Sequence, residues 1–198
     1  MKTILSLLLV VTFSNLTIAQ YTTIPDALFE QELINLGLDT ILDGQTPTSS
    51  IDTVSNLHVY NLGISDLTGI ESFTSLTKLN CSLNQLTSLN VTQNTALIEL
   101  KCRNNQLSNL NVVHNSFLNL LWCDYNPLNT LDVSQNNSLT ELWCNYTQLD
   151  TLDVTQNTNL DYLWCSFNQL SHLDITQNTA LTYLNCGENN LVSLDISQ

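Results

Sequence analysis

The chain has 198 residues, enough for one domain with a sizeable core. Charged side chains make up only 11% of it, so Asn, Gln, Ser and Thr must supply the polar surface. The formal net charge is −14, with four Lys and Arg in all, which excludes recognition of nucleic acid or anionic lipid through a basic patch.

Residues 1–19 read as a secretory leader. Lys2 supplies the positive start, and Ile4 to Phe13 is an apolar run too short to span a bilayer. Thr17, Ile18 and Ala19 give a small-x-small cleavage site before Gln20, and no Cys follows that site to carry a lipid anchor. No later segment is apolar over a membrane-helix length, so export without membrane insertion is expected.

Residues 20–53 differ from everything after them and are expected to form an N-terminal cap. Asp26 to Leu36 predicts a short amphipathic helix with Phe29, Leu33 and Leu36 on one side and Gly37 as its stop. The segment LDTILDGQTPTSS then predicts a polar loop. It holds Asp39, Asp43 and Gly44 without the alternate-residue ligand spacing of an EF-hand, so an ordinary turn is expected there.

From residue 54 the chain repeats itself. Val54, Leu57, Val59, Ile64, Leu67, Ile70 and Phe73 mark a first unit over residues 54–75. Six units follow over residues 76–198 at a step of 21 residues, the last incomplete and uncapped. Leu76, Leu97, Leu118, Leu139, Leu160 and Leu181 keep that step, as do Cys81, Cys102, Cys123, Cys144, Cys165 and Cys186. The unit LTELWCNYTQLDTLDVTQNTN, Leu139 to Asn159, shows apolar alternation in two short halves and no helical period. Each unit therefore predicts one coil of a repeat solenoid with short strands on both sides. Coils would stack at the strand spacing of roughly 4.8 Å, because one unit cannot bury its apolar residues alone.

Two asparagine ladders follow from the same step. Asn84, Asn105, Asn126, Asn168 and Asn189 form one, and Asn94, Asn115, Asn136, Asn157 and Asn178 the other. Their amides are expected to satisfy backbone groups at the turns. Thr147 interrupts the first ladder and marks a weaker coil.

The pattern L-x-x-L-x-C-x-x-N-x-L resembles the leucine-rich-repeat family, with Cys at the third Leu position. The nested 10-plus-11 form is similar to a short bacterial subclass, and the resemblance covers Leu76 to Gln198 in full. The 54–75 unit, with its segment ISDLTGI, looks like an internalin-type repeat, except that Leu62 stands where the family has Asn. The resemblance implies a leucine-rich-repeat coil with a parallel β-sheet and a small N-terminal helical cap. Similar cap-plus-repeat proteins occur in Bacteroidota-type bacteria, often with a C-terminal sorting domain.

Three columns are candidate sites. Trp122, Trp143 and Trp164 lie between an inward Leu and an inward Cys, so alternation points them outward. Tyr125, Tyr146 and Phe167 recur three residues later, and Tyr162 and Tyr183 sit two before the Trp-equivalent position. Together they predict an aromatic strip on the main sheet, concave if the solenoid curves. It either recognises a ligand, by hot-spot contacts or sugar stacking, or consists of rings stabilising one another. The cysteines are expected as buried free thiols, since equivalent side chains of stacked strands do not meet disulfide geometry, and no C-x-x-C pair suggests zinc. Asp132, Asp153, Asp174 and Asp195 form an acidic column on the opposite face, either solvated or relieved by calcium.

Catalysis finds no support. His58, His114 and His172 have no repeated partner, and no phosphate-binding motif or cofactor signature is present. The expected function is a secreted or surface-displayed module that binds a protein or glycan through the aromatic strip. The alternatives are a rigid spacer in a larger secreted protein, or an accessory domain of a secreted hydrolase.

Overall fold

A computed structural model of the chain describes residues 20–195, so the expected leader over residues 1–19 lies outside the described residues. The order of elements is β1 (Tyr21–Thr23), α1 (Ala27–Asn35), β2 (Gln45–Pro47), α2 (Thr48–Ile51), β3 (Asn56–His58), a 3₁₀ turn (Ile70–Ser72), then β4 (Lys78–Asn80), β5 (Glu99–Lys101), β6 (Leu120–Trp122), β7 (Glu141–Trp143), β8 (Tyr162–Trp164) and β9 (Tyr183–Asn185).

The repeat step becomes a parallel sheet of seven strands, β3 to β9, ordered as in the sequence. Register is strict: Leu79 faces Leu100, Leu121 faces Leu142, and Leu163 faces Leu184. Strands of only three residues hold because each buries its central Leu against the next coil. The following Cys and the second-half Leu and Val point the same way, so Leu142, Cys144, Leu149 and Val154 are all fully buried. One continuous apolar core runs along the solenoid.

Each strand exits through a left-handed residue. Leu83, Asn104, Tyr125, Tyr146, Phe167 and Glu188 have φ between 53° and 57°. The N–H of Tyr125 still reaches the next coil, donating to the Asn145 carbonyl at 3.0 Å. The turn carries the next side chain, the ladder asparagine, into the interior. Asn105 there accepts from the Leu86 N–H at 3.1 Å and donates to the carbonyls of Cys81 and Cys102 at 3.0 and 2.9 Å. Asn84, Asn126, Asn168 and Asn189 repeat these bonds.

The expected strands on the opposite side do not form among the described residues. Coils on that side are joined by side chains instead. The Asn136 amide donates to the carbonyls of Val112 and Asn115 at 3.0 and 2.9 Å, so the acceptors a neighbouring strand would use are already taken. Asn94, Asn115, Asn157 and Asn178 do the same in their coils.

At Thr147 the first ladder is replaced by a different local arrangement. Thr147 is buried, and its hydroxyl lies 2.6 Å from the Cys144 carbonyl. The Leu128 N–H, which an asparagine at 147 would bind, turns back to the Asn126 carbonyl at 2.9 Å. Pro127 has no N–H to offer where Gln106 and Gln169 donate to the preceding coil. Asn129 and Gln148 take up left-handed backbone here, at φ 61° and 63°.

The N-terminal segment packs on the first coil. Asp26 caps α1 by accepting from Leu28 and Phe29, and its other oxygen accepts from Ser65 and Asp66 of that coil. Partial burial pushes the Asp26 carboxyl up, but these hydrogen bonds outweigh it and hold the group below its ordinary value. Leu36 does not join the apolar side and is 48% exposed. The helix reverses at Gly37 (φ 73°), so Leu38 folds back, donates to the Leu33 carbonyl, and packs against the core instead. The polar loop is also more ordered than expected. β2 pairs antiparallel with β1, and Asp43, Gly44 and Gln45 all donate to one oxygen of the buried Glu30. At Gly69 (φ 102°) a Cβ would lie 2.4 Å from Ile24, so only glycine admits this contact between cap and coil.

Candidate binding surface

Parallel register places Trp122, Trp143 and Trp164 directly beside one another on β6, β7 and β8. Strand spacing is close to the thickness of two ring faces, so the indoles stack. Ring centres are 4.4 Å apart for Trp122–Trp143 and 4.9 Å for Trp143–Trp164. Tyr183 extends the stack at 5.0 Å from Trp164, and Tyr162 stands 6.2 Å from Tyr183. A second stack runs through the left-handed turns, with Tyr125–Tyr146 at 4.7 Å and Tyr146–Phe167 at 4.2 Å. The structure thus gathers all eight aromatic residues on one side of the molecule in two columns. The indoles are half-buried, whereas Tyr125, Tyr146, Phe167, Tyr162 and Tyr183 are exposed.

Stacking determines what the strip offers. The inner indoles cover one another's faces, and the far face of Trp122 is covered by the Lys101 ammonium, 4.1 Å from the ring centre. A sugar ring needs a bare face to stack on. This column presents ring edges instead, together with the hydroxyls of the exposed tyrosines. The Trp122 Nε1–H donates to Glu141 at 2.9 Å, while the buried Nε1 of Trp143 has no partner.

Between the two columns lies a polar floor that sequence reasoning missed. Ser82, Arg103, Asp124, Asn145 and Ser166 each follow a core cysteine, and all but Arg103 are buried. Asn145 donates to Asp124 at 3.0 Å and accepts from the Ser166 hydroxyl at 2.6 Å. Arg103 Nε sits 3.5 Å from Asp124 Oδ2, close enough for an ion pair but too poorly aligned for a hydrogen bond. Burial pushes the Asp124 carboxyl up, and Arg103 with the Asn145 amide partly offsets this. The signal was in the same 21-residue step, but the residue types vary along the column and mask it.

The acidic column is engaged locally. Asp153 and Asp174 each accept from the N–H and hydroxyl of the Thr two residues on, and Asp132 accepts from the Ser134 N–H. These bonds hold the three carboxyls below their ordinary values. Among the described residues no group of three or more His, Cys, Asp or Glu is placed to hold a metal ion. Cys81, Cys102, Cys123, Cys144 and Cys165 are buried free thiols, and Cys186 is a partly exposed one. No described helix is long and apolar enough to cross a membrane.

In-register three-residue strands, a left-handed turn and an interior asparagine in each coil define a leucine-rich-repeat solenoid. No model of a known protein family matches the chain. Internalin J of Listeria monocytogenes serotype 4b (strain F2365) is 44% identical over 57 residues, 29% of this chain and 6% of that protein. The functional domain of InlJ from Listeria monocytogenes, which includes a cysteine ladder, superposes with a TM-score of 0.73 at 36% identity, over 91% of this chain and 46% of that one. A leucine-rich-repeat protein of Leptospira interrogans matches with a TM-score of 0.60 at 31% identity, over 64% of this chain and 35% of that one. The protein is an internalin-like leucine-rich-repeat protein, and it spans less than half the length of these relatives.

Proposed function

We infer that this protein is a secreted or surface-displayed binding module that captures its partner on the outer face of the parallel sheet, and that it is not an enzyme. The observation that carries this reading is the doubled aromatic column. Five large exposed rings gathered on one face are costly for a free surface and typical of one that a partner covers. The internalin-like fold supports the same reading. A protein partner is favoured over a glycan because the indole faces are already occupied, leaving edges and hydroxyls that suit side chains better than sugar rings. Export is supported by the leader-like residues Lys2 to Ala19. The Asp132, Asp153 and Asp174 carboxyls, each bonded to the residue two positions on, are read as turn caps.

The test is an array of purified extracellular proteins and glycans probed with the wild-type chain and with a Trp122, Trp143, Trp164→Ala triple variant. Capture is expected to disappear while the far-UV circular dichroism spectrum stays native-like. A folded triple variant that captures as well as wild type defeats the reading.

A further inference from the structure

Apart from Lys2, every cation of this acidic chain lies on the sheet face just before the aromatic stack: Lys78 and Lys101 on β4 and β5, and Arg103 two residues on. Lys78 pairs with Glu99, and Arg103 with Asp124. Among the described residues Lys101 has no carboxylate within ion-pair reach, and its ammonium rests on Trp122 instead.

At the same place the Trp and Tyr positions of the two columns carry no aromatic rings. Further along, Trp122 to Trp164 and Tyr125 to Phe167 wall the polar floor. Here the walls carry Asn80, Lys101, Leu83 and Asn104, and the floor opens into a cavity of about 380 Å³ lined by Tyr60, Ser82, Lys101, Arg103, Asn104 and Trp122. Ser82 is 2% exposed, and its hydroxyl has no hydrogen-bond partner. A buried hydroxyl without a partner is a donor that the folded chain alone leaves unused.

We propose that this cavity is an anchoring site for a carboxylate side chain, Asp or Glu, of the protein partner that covers the aromatic face. An unpaired ammonium, a guanidinium edge and a free hydroxyl are the donors a carboxylate accepts from, and the neighbouring indole shields them from water. A negatively charged chain has little use for this cation cluster unless it reads a charge, because elsewhere its field repels acidic ligands. The site rests on the protein-binding reading above and extends it to the chemistry of one contact.

The experiment follows the ¹H–¹⁵N NMR spectrum of the protein as acetyl-Ala-Glu-Ala-Glu-amide is added, with the Gln counterpart, tetragalacturonate and inorganic phosphate as parallel probes. The Glu peptide is expected to shift the signals of residues 82–83 and 101–104 and to bind at least tenfold more tightly than the other three. Lys101→Met and Ser82→Ala are expected to weaken it about tenfold. Equal binding of the Gln peptide to the wild-type chain overturns the site whatever the variants do. So do absent shifts, or phosphate or galacturonate matching the Glu peptide. Peptide binding together with unchanged capture by a Trp143, Trp164→Ala variant, which keeps Trp122 in the cavity wall, upholds the cavity and removes the aromatic reading. The opposite pair of results removes the cavity alone.

Discussion

The indoles of Trp122 and Trp143 lie 4.4 Å apart and within 20° of parallel, a separation set by the hydrogen-bonded spacing of the strands beneath them. The rings are therefore coupled in pairs, each to its neighbour and not beyond. Aromatic pairs contribute about 0.5–1.5 kcal/mol beyond buried area. A double-mutant cycle of Trp122→Ala and Trp143→Ala in urea is expected to show about 1 kcal/mol of coupling, and the Trp122/Trp164 cycle close to none. Equal coupling in both cycles would mean the column acts through the backbone and not by contact.

Asn136 stitches the far side of the solenoid, where no strand ladder forms among the described residues. Its amide satisfies the carbonyls of Val112 and Asn115, and the side chain is fully buried. Asn136→Ala removes both amide bonds, while each carbonyl keeps one backbone donor, the Asn115 N–H on Val112 and the Leu118 N–H on Asn115, a loss of about 1–3 kcal/mol. Asn111→Ala, on an exposed residue whose carboxamide bonds only the Val113 N–H, is expected to cost well under half as much. Comparable urea midpoints for the two variants would show that the far-side amides do not hold the coils together.

Among the described residues the turn ladder breaks between the coil of residues 118–138 and the next, and one residue from each causes it. Pro127 cannot donate to the coil before it, and Thr147 cannot reach Leu128. Restoring both, Pro127→Gln with Thr147→Asn, rebuilds two interior hydrogen bonds at about 1 kcal/mol each. The double variant is expected to gain about 1–2 kcal/mol, and Thr147→Asn alone less. Hydrogen exchange should slow at Leu128 in the double variant. Unchanged exchange there would mean that the local arrangement is already as well bonded as the regular one.

Much of this architecture is legible in the residues themselves. The 21-residue step of Leu142, Cys144 and Leu149 fixes which side chains face inward, since stacked coils put equal positions in equal places. Other features depend on contacts that no local pattern carries. β1 and β2 are three residues each and meet across the α1 helix, too short for alternation to register. Left-handed backbone at Tyr125 and Phe167 goes unannounced because those residues rarely adopt it; the inward asparagine beside them demands it. The step also places the indoles in a column without revealing that their faces close on one another. The cavity beside Lys101 lies where the repeat departs from its own aromatic pattern.

The buried thiols make a pH prediction. Burial pushes Cys81 and Cys165 up to about 12, and Cys102, Cys123 and Cys144 also rise well above the ordinary 9.0. In the unfolded chain the same thiols ionise near that ordinary value. Between about pH 9 and 12 the unfolded state therefore binds fewer protons than the folded state, and stability falls as pH rises. Below pH 9 both states keep the thiol protonated, and the effect vanishes. Each buried thiol adds a slope approaching about 1.4 kcal/mol per pH unit. Tyr and Lys ionise in the same range, so Cys123→Ala serves as the reference. Its loss of stability between pH 8 and pH 10.5 is expected to be smaller than that of wild type by about one thiol's share. Identical pH profiles for the two proteins would show that Cys123 does not hold a buried proton.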